Sequence, residues 1–537
     1  MTQPDPVFSI DARAVRAALL AREEIALLDA REEDPFAQAH PLFAAQLPLS
    51  RLELDAPWRL PRRDVPIVVY DNGEGLADLA ARRLIGLGYT RVHRLAGDLA
   101  GWQAEGGELF RDVNAPSKAF GELVEHERQT PSLSAEEVKA LIDAKADVVV
   151  LDARRFDEYR TMSIPTGISV PGAELALRVR ELAPDPATRV IVNCAGRTRS
   201  IIGTQSLVNA GIPNPVSALR NGTIGWTLAG CALDRGQSRR FGAVQATSRS
   251  LAQAEAQSLA DRAGAHRLGI EALDAIDDAT RTVYRYDVRA PEEFEAGHLA
   301  GFRSAPGGQL VQETDVFAPV RGARIVLADD DGVRAPITAH WLAQMGWDVS
   351  WVQATAAARY VHGHRQQQSS AQPDVARVSA PRLADLLVER SVVVLDVSTS
   401  AQYVKRHVPG AWWILRSDLK GGLSRIEAEA GLASSWVVTA DDERIAAFVA
   451  QDLRELVDAP VQVLAGGNAS WQVTGRAVEA GEQRLVSERN DRYRRPYEGT
   501  DSPREAMQAY LDWEFGLVEQ LGRDGTHGFR VLGEDFS

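Results

Sequence analysis

Four stretches of this sequence read alike: IALLDAREEDPF (25–36), VVVLDARRFDEY (148–159), VYRYDVRAPEEF (283–294) and VVVLDVSTSAQY (392–403). Each is a short apolar run that ends in Asp and leads through a polar stretch to an aromatic residue. A second apolar run follows each: PIVVYDNGEG (66–75), RVIVNCAGRT (189–198), RIVLADDDGV (324–333) and SWVVTADDER (435–444). Three copies keep one offset of 42 residues from the Asp to the residue closing the second run (29 to 71, 152 to 194, 287 to 329). In the fourth copy that residue is Ala440 or Asp441, one position uncertain. A further aromatic, read as core packing, recurs downstream as Trp102, Trp226, Tyr360 and Trp471. Self-similarity at a fixed period means one structural unit used repeatedly.

Within a unit, helical and strand patterns alternate. SAEEVKALIDA (134–144) opens with Ser134 and places Glu137 three residues on, a capping-box start to an amphipathic helix. DVVVLDA (147–153) is a continuous apolar strand of the kind buried on both faces. Residues 200–209 read as a helix stopped by Gly211 and Pro213. The predicted class is α/β: four tandem units, each a mostly parallel sheet flanked by helices, with ligands expected beyond the carboxyl ends of the strands. The expected spans are 1–112, 130–238, 264–363 and 375–482, followed by a helical C-terminal extension, 483–537. Segments 114–131, 236–250 and 364–374 read as linkers. The basic run RNDRYRRPYEG (489–499) reads as solvated or ion-paired surface, and 503–522 as an amphipathic helix capping a neighbouring unit.

Charge and thiol content narrow the function. Sixty Lys and Arg against 74 Asp and Glu leave a net charge of −14, which argues against a nucleic-acid or membrane-surface role. Two cysteines in 537 residues cannot form a disulfide framework, so a reducing compartment, the cytoplasm, is expected. The N-terminus carries acidic residues and no long apolar core, so no secretory signal is expected, and nothing approaches a membrane span. No His or Cys spacing suggests a metal, and no cofactor is expected.

One of the two cysteines lies in VIVNCAGRTRS (190–200), at the carboxyl end of a predicted strand. A strand feeding a tight loop and a helix aims backbone N–H groups and the positive end of the helix dipole at one point. A thiol held there is expected to ionise below its ordinary value of about 8.5. Arg197 and Arg199 strengthen the expectation, and Gly196 permits backbone conformations that other residues resist. An anionic sulfur is a nucleophile that needs no general base, and the loop holds no His. The candidate site is therefore Cys194 as nucleophile with Ala195, Gly196, Arg197, Thr198, Arg199 and Ser200 as the binding loop. Asp152 is expected to support the loop base through an ion pair rather than to act as a base. Glu174 and Arg178 read as helix surface near the rim of the site, and His298 and His407 as structural turn residues. Cys231 reads as packing, with relay of sulfur as the alternative.

At these residues the chain resembles the rhodanese (sulfurtransferase) family. The resemblance rests on LDAR (151–154), RYDVR (285–289), GHLAG (297–301), HVPGA (407–411), CAGRTRS (194–200) and GTIGW (222–226), and covers all but about the last fifty residues. It implies that Cys194 becomes a persulfide cradled by the backbone of 195–199. Family members using mercaptopyruvate usually carry Cys-Gly-Ser/Thr-Gly-Val-Thr, so the two arginines here favour a dianion such as thiosulfate, with cyanide or a thiol, including a sulfur-acceptor protein, receiving the sulfur. The related phosphatases and arsenate reductases have one residue more between Cys and Arg; here Ser200 stands where that Arg would fall. SIPTG (163–167) replaces the usual His-Ile-Pro-Gly. Asp71, Asp329 and Ala440 or Asp441 align with Cys194, so those three loops are expected to be silent. Two further readings stay open: a sulfur-relay scaffold built on the silent units, and, disfavoured by loop length, a cysteine phosphatase or arsenate reductase.

Overall fold

The paired apolar runs are the inner strands of four sheets: Ile25–Asp29 with Ile67–Tyr70, Val148–Asp152 with Arg189–Asn193, Val283–Asp287 with Arg324–Asp329, and Val393–Asp396 with Trp436–Thr439. All four pairs are parallel. Their nearly uninterrupted burial is what a sheet covered by helices on both faces requires. The second sheet runs in the order Ser132–Leu133, Val216–Leu219, Arg189–Asn193, Val148–Asp152, Ile168–Ser169, and the sheets of the third and fourth units repeat that order. This computed structural model describes residues 7–354, 360–363, 370–431, 433–499 and 501–533.

Strand register identifies the loop position in every unit. Asp152 lies opposite Asn193, Asp29 opposite Tyr70, Asp287 opposite Ala328 and Asp396 opposite Thr439. The next residues are Cys194, Asp71, Asp329 and Ala440, so the fourth copy has Ala440 at this position rather than Asp441. Trp102, Trp226 and Trp471 are buried core residues, each donating its indole N–H to a carbonyl six residues on. Tyr360 departs from that pattern: it is half-buried, in a short antiparallel pairing with His298–Leu299.

The units are fastened to one another. Val320–Arg321 of the third unit adds antiparallel to Ile25–Asp29 of the first, as an edge strand of the first unit's sheet. Buried Arg416 of the fourth unit grips Glu53 of the first at 2.6 and 2.9 Å and Asp452 at 2.7 Å. Glu174, expected as helix surface at the rim, is buried and accepts from Arg334 of the third unit at 2.7 Å; Arg178 bonds the same carboxylate at 2.9 Å.

Two expected linkers are regular structure. Residues 114–131 hold the helix Ala115–Arg128, whose first ten residues are all buried but one half-buried leucine. The Pro, Ser, Gly and Lys that gave it a linker-like composition lie at close contacts. A Cβ on Gly121 would come within 2.9 Å of Thr198 Cγ2. Within 236–250 the helix Ala246–Ala263 begins. Residues 364–369 of the third linker, 534–537 of the extension and 1–6 lie outside the described residues. The extension forms two helices, Arg504–Phe515 and Leu517–Asp524, after an irregular strap. No described helix is long and apolar enough to cross a membrane.

Candidate active site

Cys194 leaves the end of Arg189–Asn193, and the loop turns directly into the helix Thr198–Asn209. Asp152, on the adjacent strand, holds the base of this loop. Its carboxylate accepts from Arg154 Nε at 2.9 Å, Arg154 Nη2 at 2.7 Å and Asn193 Nδ2 at 2.9 Å, all buried. The same Arg reaches Met162 O at 2.6 Å, locking the following turn. Asp29–Arg31 and Asp287–Arg289 repeat this arrangement, so the Asp-Arg element is a structural lock of the fold. His298 and His407 serve their turns, each bonding a carbonyl four residues back and stacking on that residue's ring.

The structure brings residues 194–200 together as a closed loop, but two expected roles change. Arg197 does not point into open solvent. Its guanidinium clasps Glu122 through two bonds of 2.7 Å, also engages Glu125 and Asn221, and lies over the Phe515 ring. Arg199 is clasped by Glu158 at 2.8 and 2.9 Å. Burial alone would raise Glu158, yet Arg199 with Arg154 and Arg155 holds its carboxyl at about 2. Both guanidiniums are thus fixed positive charges framing the loop rather than free arms. Gly196 is not in the left-handed region. The approach there is close: a Cβ would lie 3.1 Å from Tyr510 Cε1 and 3.4 Å from Glu514 Oε2, so the roof would have to give by a few tenths of an ångström.

The thiol itself is buried, 2 % exposed. Burial pushes Cys194 up from its ordinary value, against Arg199 and hydrogen bonding with Ser200, which pull it down. This corrects the expectation of a lowered thiol; the cause is the C-terminal helix roofing the loop. Ser200 Oγ lies 3.4 Å from Sγ and donates to Arg197 O at 2.8 Å. Beyond Arg199 is a cavity of about 450 Å³ whose wall includes Arg154, Arg155, Arg492, Arg495 and Tyr497. Cys231 is half-buried and lines a separate cavity of about 220 Å³. Among the described residues no cluster of His, Cys, Asp or Glu is placed to hold a metal ion.

Comparison with known proteins agrees with this architecture. The rhodanese-like domain model matches residues 12–105, 134–229 and 379–474. The chain belongs to the rhodanese-like family. Over 98 % of its length it is 62 % identical to a solved structure, thiosulfate sulfurtransferase from Pseudomonas aeruginosa, with all of that chain covered and a TM-score of 0.96. The Alr3790 protein from Anabaena sp. is 27 % identical over 20 % of this chain and 83 % of its own, with a TM-score of 0.19. No curated protein matches the sequence.

The third unit, which the family model does not match, has the rhodanese-like sheet order all the same. It also repeats the Arg199–Glu158 pair: Arg334 and Glu293 are bonded at 2.6 Å and, like the first pair, lie 41 residues apart. The first and fourth units have Leu76 and Ile445 at the arginine position, so the pair is shared by the second and third units alone. Two of the loops without a cysteine hold a carboxylate at the same place. Asp71 accepts from the amides of Gly73 and Ala77 at 2.7 and 2.8 Å. Asp329 accepts from those of Gly332 and Ala335 at 3.0 and 2.8 Å. In both, a carboxylate occupies the centre of the loop, and neighbouring amides converge on it.

Glu122, Glu125, Tyr510 and Glu514 escaped the sequence reading because they come from a supposed linker and from the extension. Glu158 could have been found, since its spacing to Arg199 recurs in the third unit.

Proposed function

We propose that the chain moves sulfane sulfur from thiosulfate through a persulfide on Cys194 to cyanide or a thiol acceptor. The observation that carries this reading is the filling of the four loops. Two hold a carboxylate bonded by loop amides, one holds Ala440, and one holds a thiol. The outer sulfur of a persulfide, carried on an S–S bond of about 2 Å, reaches further from Cβ than a carboxylate oxygen does, toward the same amides. The amides that satisfy Asp71 and Asp329 correspond in the second unit to those of Gly196, Arg197 and Ser200. They are suited to an anionic outer sulfur, as preorganised donors suit an oxyanion.

In the first half-reaction the Cys194 thiolate attacks the outer sulfur of thiosulfate. The new Cys–S bond forms as the bond to the sulfonate sulfur breaks, and sulfite leaves with that electron pair. In the second, cyanide or a thiolate attacks the outer sulfur and Cys194 leaves as thiolate. The thiol proton is lost before the first attack, which the framing charge of Arg199 and the Ser200 hydrogen bonds favour against burial. The cavity beside Arg199 is lined by Arg154, Arg155, Arg492 and Arg495 together with Asp157, Glu158, Glu313 and Glu498, so an anionic donor meets a wall of mixed charge there. The 62 % identical thiosulfate sulfurtransferase supports the choice of donor. Intact-mass spectrometry tests the reading: thiosulfate should add about 32 Da, one sulfur atom, to the wild type and nothing to Cys194→Ser. Absence of the adduct in the wild type would remove the proposal.

A further inference from the structure

The roof over the Cys194 loop contains a carboxyl that the two half-reactions leave without a role. Glu514, on the helix Arg504–Phe515, is fully buried. Its Oε1 accepts from Tyr510 Oη at 2.7 Å, while Oε2 has no hydrogen-bond partner among the described residues. Oε2 faces the loop, 3.4 Å from where a Cβ on Gly196 would stand.

The neighbouring cations are already committed. Lys118, buried beneath the rings of Tyr497, Tyr510 and Trp513, pairs with Asp112 at 2.6 Å. Arg197 is taken by Glu122 and Glu125, and Arg199 by Glu158. An ionised carboxylate buried without a counter-ion costs several kcal/mol, so the stable form is the neutral acid. A neutral carboxylic acid at this place is a hydrogen-bond donor.

We propose that Glu514 is a substrate-binding residue of the Cys194 site, donating a hydrogen bond from Oε2 to the anionic sulfur donor at the mouth of the loop. This rests on the sulfurtransferase reading above. The proton stays on Glu514 throughout, so the balance of the transfer is unchanged. Once ionised, the same group has no proton to donate and repels both the dianion and the thiolate. Burial, with Glu122 adding to it, pushes Glu514 up to about 8. The charged and titratable groups facing it are Tyr510 on its own helix, Lys118 and Glu122 on Ala115–Arg128, and Cys194 and Arg197 of the loop; Tyr497 lies against Tyr510. Both tyrosines are pushed well above their ordinary range by burial and stay neutral. Ionisation of Cys194 raises the rate with pH, opposite in sign to Glu514.

The experiment is the single-turnover rate of persulfide formation from thiosulfate, read by quenched intact mass between about pH 6 and about pH 9.5 on the full chain. The first half-reaction is taken alone because hydrogen cyanide ionises in the same range. The wild type should rise with pH and level off near pH 8, where loss of the Glu514 proton offsets the gain of thiolate. Glu514→Gln, which keeps the shape and an N–H donor, should go on rising past that point. Glu514→Ala should raise the thiosulfate concentration for half-maximal rate by about tenfold or more, with a smaller change in the limiting rate. Melting curves check that both variants are folded. The same levelling-off in folded Glu514→Gln overturns the role of Glu514 and leaves the sulfurtransferase reading standing. No adduct in the wild type overturns both.

Discussion

Arg197 and Glu122 are joined by two parallel bonds of 2.7 Å, tying the Cys194 loop to the helix that precedes its own sheet. Both side chains are almost wholly buried, with relative exposures of 3 % and 4 %. Removing Glu122 leaves buried Arg197 with only the half-buried Glu125 as counter-ion, at a cost below the roughly 3 to 5 kcal/mol of a fully unpaired buried charge. Glu122→Ala should therefore lower the melting temperature and slow persulfide formation together, through loss of loop position. Differential scanning calorimetry alongside the mass assay checks this. A variant with wild-type melting and rate would show that the clasp contributes nothing.

Cys194→Asp should fold and be silent. The carboxylate would meet the amides of Gly196, Arg197 and Ser200 as Asp71 and Asp329 meet theirs. Its melting temperature should equal or exceed that of Cys194→Ala, whose loop amides have no anion to hold, by an amount equivalent to about 1 to 3 kcal/mol. Thermal denaturation of the two variants side by side decides it, with thiosulfate absent.

Alkylation should reach the two cysteines in a fixed order. Cys231 is half-buried while Cys194 is roofed by Tyr510 and Glu514. With limiting iodoacetamide near neutral pH, peptide mapping should find Cys231 modified first. Tyr510→Ala, by opening the roof, should speed Cys194 by about tenfold or more. Preferential labelling of Cys194 in the wild type would contradict the burial described above.

Acid should weaken the loop through Glu158. Its carboxyl sits at about 2 in the folded chain, below the ordinary value of about 4.3. A lowered carboxyl contributes stability that is fully present above the unfolded value and is lost as pH falls through the folded one. Between about pH 5 and about pH 2 the wild type should lose more stability than Glu158→Gln, whose side chain does not titrate. Urea midpoints across that range measure the difference. Equal acid sensitivity of the two proteins would rule out the pair as a source of it.

The helix Ala115–Arg128 shows where sequence reading fails. Its apolar periodicity is interrupted by Pro116, Lys118, Gly121 and Glu122, each of which is buried. Lys118 is tolerated because Asp112 pairs with it, and Glu122 because Arg197 does. Neither partner can be read from the helix. Strand ends were easier: the recurring offset from the strand-end Asp places the loop residue in three units, and strand register decides for Ala440 in the fourth.

The sequence alone determined the fourfold α/β repeat, the strand-end position of Cys194 and the absence of a thiol from the other three loops, because these are written in local periodicity and a recurring offset. Tertiary structure decided the state of the site. Arg197 meets carboxylates 72 and 75 residues away, and the roof over Gly196 comes from the extension. Charge pairing and solvent exclusion depend on which distant surfaces pack together, and the spacing of residues within the loop does not encode that.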